Sequence, residues 1–357
     1  MKTYIKFLTI IFYKSLLFVS TIMFSLVFIL NLLSELEFFK DLNVNNFFLI
    51  FLSFLNSPDM IFQMFPFIFL LTTQLFFIKL FNNNEIEIFK YSGLKNSKIL
   101  IIISLLSIIT GILISLLFYN LSSNLKNLYL ELKSPYATDG KYLAVITKNG
   151  LWIKDEINDK IIITNSSEIN NTFLINNFIT EFDKNYSVLR NLKSEKIDIS
   201  TNVWEVLNVK IFKNNDYEIK DLIRINTNFD YKRINSLYSN LSSLNMLQLY
   251  ELRNNYKKLN YSLTEIDLQF LKLLSFPLFL LLITIFSSLL MFRVKRYSSS
   301  TFQISLGLFL SVIIYYANNF FYVLGSTEKL PLMISIFAPL LALIIINSLM
   351  LNGINEK

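Results

Sequence analysis

The sequence predicts an α-helical membrane protein with six transmembrane helices, split three and three by an inserted, water-facing β-domain. Three observations predict it. Apolar runs long enough to cross a bilayer fill the chain before about Leu121 and after about Gln269. Residues 122–261 between them are rich in Asn, Lys, Asp and Glu, with 19 basic against 16 acidic side chains. Short runs in that middle segment alternate between strand-forming and turn-forming residues. The predicted domains are therefore 1–121, carrying spans one to three; 122–261, rich in strands; and 262–357, carrying spans four to six.

Composition supports this layout and removes several chemistries. Apolar residues make up 53% of the chain and charged residues only 17%, against about 25% charged in a soluble domain. There is no Cys and no His. That excludes a disulfide framework, a Cys- or His-based zinc site, and a Cys or His nucleophile. No stretch reads GxxxxGK[ST] or GxGxxG, so the chain has no phosphate-cradling loop and no cofactor is expected in it. Nucleotide energy would have to come from a partner. The excess of Phe, Ile, Asn and Lys fits an A/T-rich genome and is treated as background. The net charge of +7 is spread over membrane-flanking loops, where basic residues set orientation, and does not form a nucleic-acid footprint.

Each span needs about 20 apolar residues. Phe7–Leu33 is the first, with Lys14 as its only charge, and it lacks a small-residue cleavage site. Pro58-Asp59 divides the long run 46–81 into an interfacial helix, Phe47–Leu55, and a second span, Met60–Leu80. Ile99–Leu121 is the third. Phe270–Phe292, Phe302–Leu324 and Leu332–Leu351 are the fourth, fifth and sixth. The runs lack barrel alternation, which leaves helices as the way to satisfy the backbone in lipid. Lys2, Lys6, Lys90, Lys95, Lys98, Arg293, Lys295 and Arg296 fall in one set of short loops. The alternate loops carry only Lys40 and Lys329 beside Glu35, Glu37, Asp41 and Glu328. The basic set faces the cytoplasm by the positive-inside rule, which puts both termini inside and the β-domain outside.

In the middle segment, Tyr142–Thr147 and Leu151–Asp155 flank Lys148-Asn149-Gly150, whose Asn-Gly suits a tight hairpin turn. Further strands are expected at Lys160–Asn165, Thr172–Ile179, Tyr186–Asn191, Lys196–Ile199 and Val203–Phe212, in a sandwich or jelly roll. After about Ser236 the leucine spacing turns helical, leading back to the membrane. Asp155, Glu156 and Asp159 read as a solvated turn in preference to a carboxylate pair for sugar chemistry. Trp152 and Trp204 read as sheet residues.

The loop 82–95 between spans two and three reads as a short capped helix. Asn84 is expected to cap it, Glu85 and Glu87 suit its first turn, and Gly93 can close it in the left-handed conformation. Glu85 and Phe89 share a face by their spacing of four, with Ile86 and Lys90 beside them. A helix of this kind between two spans is how permeases grip a cytoplasmic ATPase.

Here the sequence resembles the LptF/LptG permease family. Glu85, Lys90 and Gly93 match the Glu, basic residue and Gly of its coupling segment, although Lys90 stands for the usual Arg and Lys95 for a small hydroxyl residue. Asn149-Gly150-Leu151-Trp152-Ile153-Lys154-Asp155, Val203-Trp204-Glu205-Val206, Phe270-Leu271-Lys272 with Pro277-Leu278, and Leu330-Pro331 with Pro339 resemble further family segments in the same order. The hairpin leans toward the LptG branch. The resemblance implies a permease subunit of the ABC transporter that extracts lipopolysaccharide from the bacterial inner membrane and passes it to a periplasmic bridge toward the outer membrane. It implies a periplasmic β-jelly-roll domain, a dimer of the ATPase LptB docked on Glu85, Phe89, Lys90 and Gly93, a paralogous LptF or LptG partner, and LptC. Lys40 and Lys272, near the outer ends of spans one and four, are candidate contacts for lipid phosphate.

Other classes compete. A mechanotransmitting permease drives periplasmic work without moving cargo, but usually has four spans. A scaffold would use the β-domain to recruit partners. A membrane-bound enzyme acting on lipid-linked sugars would need paired carboxylates, for which Glu35, Glu37, Glu265 and Asp267 qualify by location.

Overall fold

The computed structural model describes residues 3–40, 42, 44–133, 136, 151–157, 160–170, 172–213, 216–231, 234, 240–258, 263–294 and 299–352. The chain divides into unit 1, residues 1–126 with 263–357, and unit 2, residues 127–262.

Unit 1 is helical. Helices α1 (Thr3–Phe38) and α2 (Asn46–Asn82) are followed by the short α3 (Glu85–Tyr91) and by α4 (Asn96–Leu113). A π-helical turn, Ile114–Phe118, joins α4 to α5 (Tyr119–Lys133), which runs on past the end of unit 1. Continuing the element numbering, α6 (Met246–Lys258) belongs to unit 2, and α7 (Thr264–Val294), α8 (Ser300–Ser326) and α9 (Leu332–Leu351) complete unit 1. Among the described residues six helical runs are long and apolar enough to span a bilayer, as the sequence predicts.

Two spans differ from expectation. The separate interfacial helix Phe47–Leu55 does not exist: α2 is continuous over 37 residues, with Pro58 and Pro66 inside it. At about 1.5 Å per residue that is a rod of about 55 Å. A full break there would expose many backbone groups to lipid, whereas an internal proline frees few, and side-chain hydroxyls can re-satisfy the turn. Ser53 Oγ donates to the Leu49 carbonyl at 2.8 Å and Ser57 Oγ to the Ser53 carbonyl at 2.6 Å. The helix that carries the third span likewise runs on through Lys133, past the expected end of the span at Leu121.

Buried polar side chains and small residues hold these helices together, as expected where lipid removes the hydrophobic drive between apolar faces. Asn31 Nδ2 on α1 donates to Ser57 Oγ on α2 at 3.0 Å, and Asn56 Nδ2 returns to Asn31 Oδ1 at 3.0 Å. Ser107 of α4 meets Thr284 of α7 at 2.9 Å, Ser287 Oγ of α7 donates to the Leu70 carbonyl at 3.0 Å, and Asn347 Nδ2 of α9 donates to the Leu282 carbonyl at 3.0 Å. Gly111 lets two helix backbones approach closely: a Cβ there would lie 3.0 Å from the Pro277 Cα.

Among its described residues unit 2 carries one antiparallel sheet with strands in chain order: β1 (Leu151–Ile157), β2 (Lys160–Asn170), β3 (Phe173–Phe182), β4 (Val188–Asp198), β5 (Val203–Lys213) and β6 (Asp216–Asn226). The inserted β-domain is therefore present, and its described strands follow an up-and-down path. The expected partner strand Tyr142–Thr147 and the Asn149-Gly150 turn lie outside the described residues. Tyr186–Asn191 and Lys196–Ile199 are not two strands but parts of β4, and β6 went unforeseen. Asn176 and Asn208 adopt left-handed backbone at φ 51°, a conformation Asn tolerates better than most residues. Each shifts the alternation of buried positions along its strand, so Leu174 is followed inward by Asn177, and Val206 by Val209. Trp204, buried as a sheet residue, donates its Nε1 to the Phe229 carbonyl at 2.7 Å. The apolar inner face comprises Leu151, Ile153, Leu174, Ile179, Leu192, Val206 and their neighbours. The solvated-turn reading fails for Asp155. It is 2% exposed and accepts from the Asn228 N and Nδ2, both at 2.8 Å. Its place on β1, inward like Ile153, makes it a clasp for the segment after β6.

Candidate functional site

Two features of unit 1 stand out. The first is α3. Its start departs from expectation: Asn84 sits at φ 55° and its side chain makes no capping bond. Left-handed backbone there turns the side chain away from the first-turn amides, whereas Asn83 Nδ2 reaches Glu85 Oε1 at 3.4 Å. The end is as the sequence predicts. Gly93 takes φ 79°, its N donates to the Lys90 carbonyl at 3.0 Å and the Leu94 N to the Phe89 carbonyl at 2.9 Å, a Schellman closure that favours glycine.

The proposed docking residues do not share one accessible face. Ile86 is buried and Phe89 is half-buried, with its ring edge-on to Phe7 at 6.1 Å. Glu85 is also half-buried, and its Oε2 has no hydrogen-bond partner among the described residues. Glu87, Lys90 and Gly93 point outward together with Ile88, 60% exposed, and Tyr91, 91% exposed. Sequence reasoning missed Ile88 and Tyr91. An exposed tyrosine is a frequent interface anchor, Ile88 lies beside it on this helix, and the spacing of three between them was the available signal.

The second feature is a cavity of about 510 Å³ between α2, α7, α8 and α9, within the size range of small-ligand pockets. Met60, Met64, Phe67, Phe276, Phe279 and Leu340 give it apolar walls; Lys272, Gln63, Asn318, Asn319 and Tyr322 supply polar groups. Lys272 Nζ lies over the Tyr322 ring, 4.9 Å from its centroid, a cation–π placement. Asp59 lies one turn before Gln63 on α2. Lys40 does not join this group; it is exposed in the turn after α1. None of Glu35, Glu37, Glu265 and Asp267 lines the cavity, and Glu35 is buried on α1. Among the described residues no cluster of acidic side chains could hold a metal ion. The chamber thus offers apolar walls and a basic side chain, Lys272, among them, which suits an anionic amphiphile.

A protein-family model described as lipopolysaccharide export system permease LptF/LptG matches residues 7–352 of the 357. No curated protein matches the sequence.

Proposed function

The chain belongs to the LptF/LptG family of lipopolysaccharide export permeases, and from that premise we propose that it is one membrane subunit of an ATP-driven exporter that lifts lipopolysaccharide out of the inner membrane. The cavity is the observation that carries this reading at the level of residues. Acyl chains need an apolar wall and phosphates favour a cation; the walls around Phe67 and Phe279 and the ammonium of Lys272 provide both. Lys40 would meet head groups only outside that chamber.

In this reading the basic loops and both termini face the cytoplasm, and unit 2 stands in the periplasm as the first station of the onward bridge. A paralogue of the same layout completes the transport cavity, and LptC contributes beside it. The ATPase dimer LptB grips α3, with Ile88 and Tyr91 as its apolar anchors, Lys90 as a charged contact, and Glu85, Phe89 and Gly93 shaping the helix from behind. Because Asn82 and Glu85 are nearly adjacent in sequence, a push on α3 is delivered to the end of the 37-residue α2 rod, whose other turns line the cavity.

The double variant Ile88→Asp/Tyr91→Ala tests the docking. Losing an interface hot spot typically costs about 2 kcal/mol or more, so at least a thirtyfold loss of ATPase co-purification is expected, with export failing in parallel. Leu247→Asp, an equally exposed apolar site in unit 2, serves as the control that leaves co-purification intact. Wild-type ATPase recovery and export by the double variant would overturn the docking surface.

A further inference from the structure

We propose that Gln63 is a relay residue that reports occupancy of the cavity to helix α5, at the point where the chain leaves unit 1. The inference rests on the reading that the cavity takes the anionic cargo, and it adds how the filled state is communicated.

The connections form a continuous chain. Gln63 lines the cavity, and its Nε2 donates to Asp59 Oδ2 at 3.4 Å. Asp59 is 5% exposed and lies 3.9 Å from Lys126 Nζ on α5. Lys126 also donates to Asn56 Oδ1, and Asn56 holds Asn31 of α1 at 3.0 Å. Lys126 is the last residue of unit 1 before the chain passes into unit 2, and α5 continues to Lys133. A second route starts from the neighbouring residue. The Phe62 ring stacks on Phe276 at 4.8 Å, and both line the cavity. Phe62 also contacts the buried Tyr119 of α5, at 5.1 Å. Tyr119 and Lys126 are seven residues apart, two turns on one helix face. Both routes therefore leave one chamber and arrive on one stripe of α5. That stripe begins where the π-helical turn Ile114–Phe118 ends, a local widening often found at functional positions.

The physics supplies a direction. A charge-assisted N–H···O contact closes to about 2.7–2.9 Å when it is tight; the Asp59–Lys126 pair, at 3.9 Å, is loose. Gln63 has two N–H donors and one acceptor. A phosphate drawn in by Lys272 recruits those donors away from Asp59 and repels the Asp59 carboxylate. Both effects drive Asp59 toward Lys126, which draws in the root of α5. In a poorly solvated site this repulsion is weakly screened. Linkage makes the effect reciprocal: a tightened α5 raises affinity for the anion by the same factor that the anion tightens α5.

The absence of native Cys permits a clean test. A spin label is attached at Leu128→Cys, on α5 just beyond Lys126, in the full-length chain in lipid nanodiscs. Binding of bisphosphorylated lipid A and of its dephosphorylated form is measured in parallel. The expected result is that saturating bisphosphorylated lipid A immobilises the label and the dephosphorylated form does not. The neutral pair Asp59→Asn/Lys126→Gln should bind bisphosphorylated lipid A within about fivefold of the parent, the low end of typical coupling factors, yet leave the label mobile at saturation; Gln63→Leu, which loses donors to the phosphate, should bind more weakly and also leave the label mobile once saturated. The neutral pair keeps a hydrogen bond in place of the ion pair, so it separates loss of signalling from loss of folding. A full label response in Gln63→Leu, an equal response to both lipids, or no response in a parent that binds lipid would each overturn the relay. Failure of the parent to bind either lipid would instead overturn the cavity reading, and the relay with it.

Discussion

Lys272→Glu is expected to reduce binding of bisphosphorylated lipid A by the full-length chain at least tenfold, the largest effect of any single substitution on the cavity wall. A unit charge about 4 Å from a phosphate contributes on the order of 4 kcal/mol at an effective dielectric of about 20. Reversing its sign turns that attraction into repulsion, of which solvation and rearrangement leave only part. The site amplifies the change, because Lys272 rests on the Tyr322 ring and a carboxylate there would face the negative face of the ring. Lys272→Arg keeps the charge and the ring contact and should stay within a few-fold of the parent. Titration in nanodiscs with phosphorylated and dephosphorylated lipid A checks both. Equal affinity of Lys272→Glu and parent for the phosphorylated lipid would remove Lys272 from the head-group site.

The second large effect lies in unit 2. Trp204→Ala is expected to destabilise the sheet by about 3–5 kcal/mol, the range for deleting a buried aromatic side chain. Trp204 is 1% exposed in the centre of the inner face, and its Nε1 is the donor that reaches the Phe229 carbonyl. Its loss opens a cavity in the inner face beside Val206 and Ile225 and removes the indole donor from that carbonyl. Each 1.4 kcal/mol is a factor of ten, so amide exchange across β5 and β6 should accelerate at least a hundredfold wherever it proceeds by opening of the sheet. Trp152→Ala is the contrast: the ring is 57% exposed on the other face, and a change within about 0.5 kcal/mol is expected. Similar exchange rates in the two variants would show that the inner face does not depend on its largest side chain.

How much of this was legible in the sequence varies with how local the signal is. The spans were legible because hydropathy over 20 residues survives any tertiary arrangement. The closure at Gly93 was legible because a left-handed residue after a helix is a local requirement. Pro58 misled, since a proline that ends a helix in water is tolerated inside one that lipid and neighbouring helices hold together. Strand β6 was missed because it is an edge: nearly all of Asp216–Asn226 is exposed, so charged side chains break the alternation that marks a half-buried strand. The clasp between Asp155 and Asn228 joins residues 73 apart, and nothing in the turn-like string around Asp155 announces it. The same holds for the cavity. Lys272 was singled out by its place near a span end, but its partners Gln63, Asn318 and Tyr322 come from two other helices, and only packing brings them together. On α3 the spacing suggested a face shared by Glu85 and Phe89, whereas the contact of Phe89 with Phe7 turns Ile88 and Tyr91 outward instead.

The central claim is that an anionic glycolipid occupies the chamber between α2, α7, α8 and α9. A photoreactive amino acid placed at Phe67, on the chamber wall, and separately at Leu349, exposed near the far end of α9, tests it in intact envelopes. The account predicts a lipopolysaccharide adduct from position 67 that diminishes in the Lys272→Glu background, and none above background from position 349. Equal labelling at the two positions, or no adduct at position 67 in a correctly inserted protein, would contradict it.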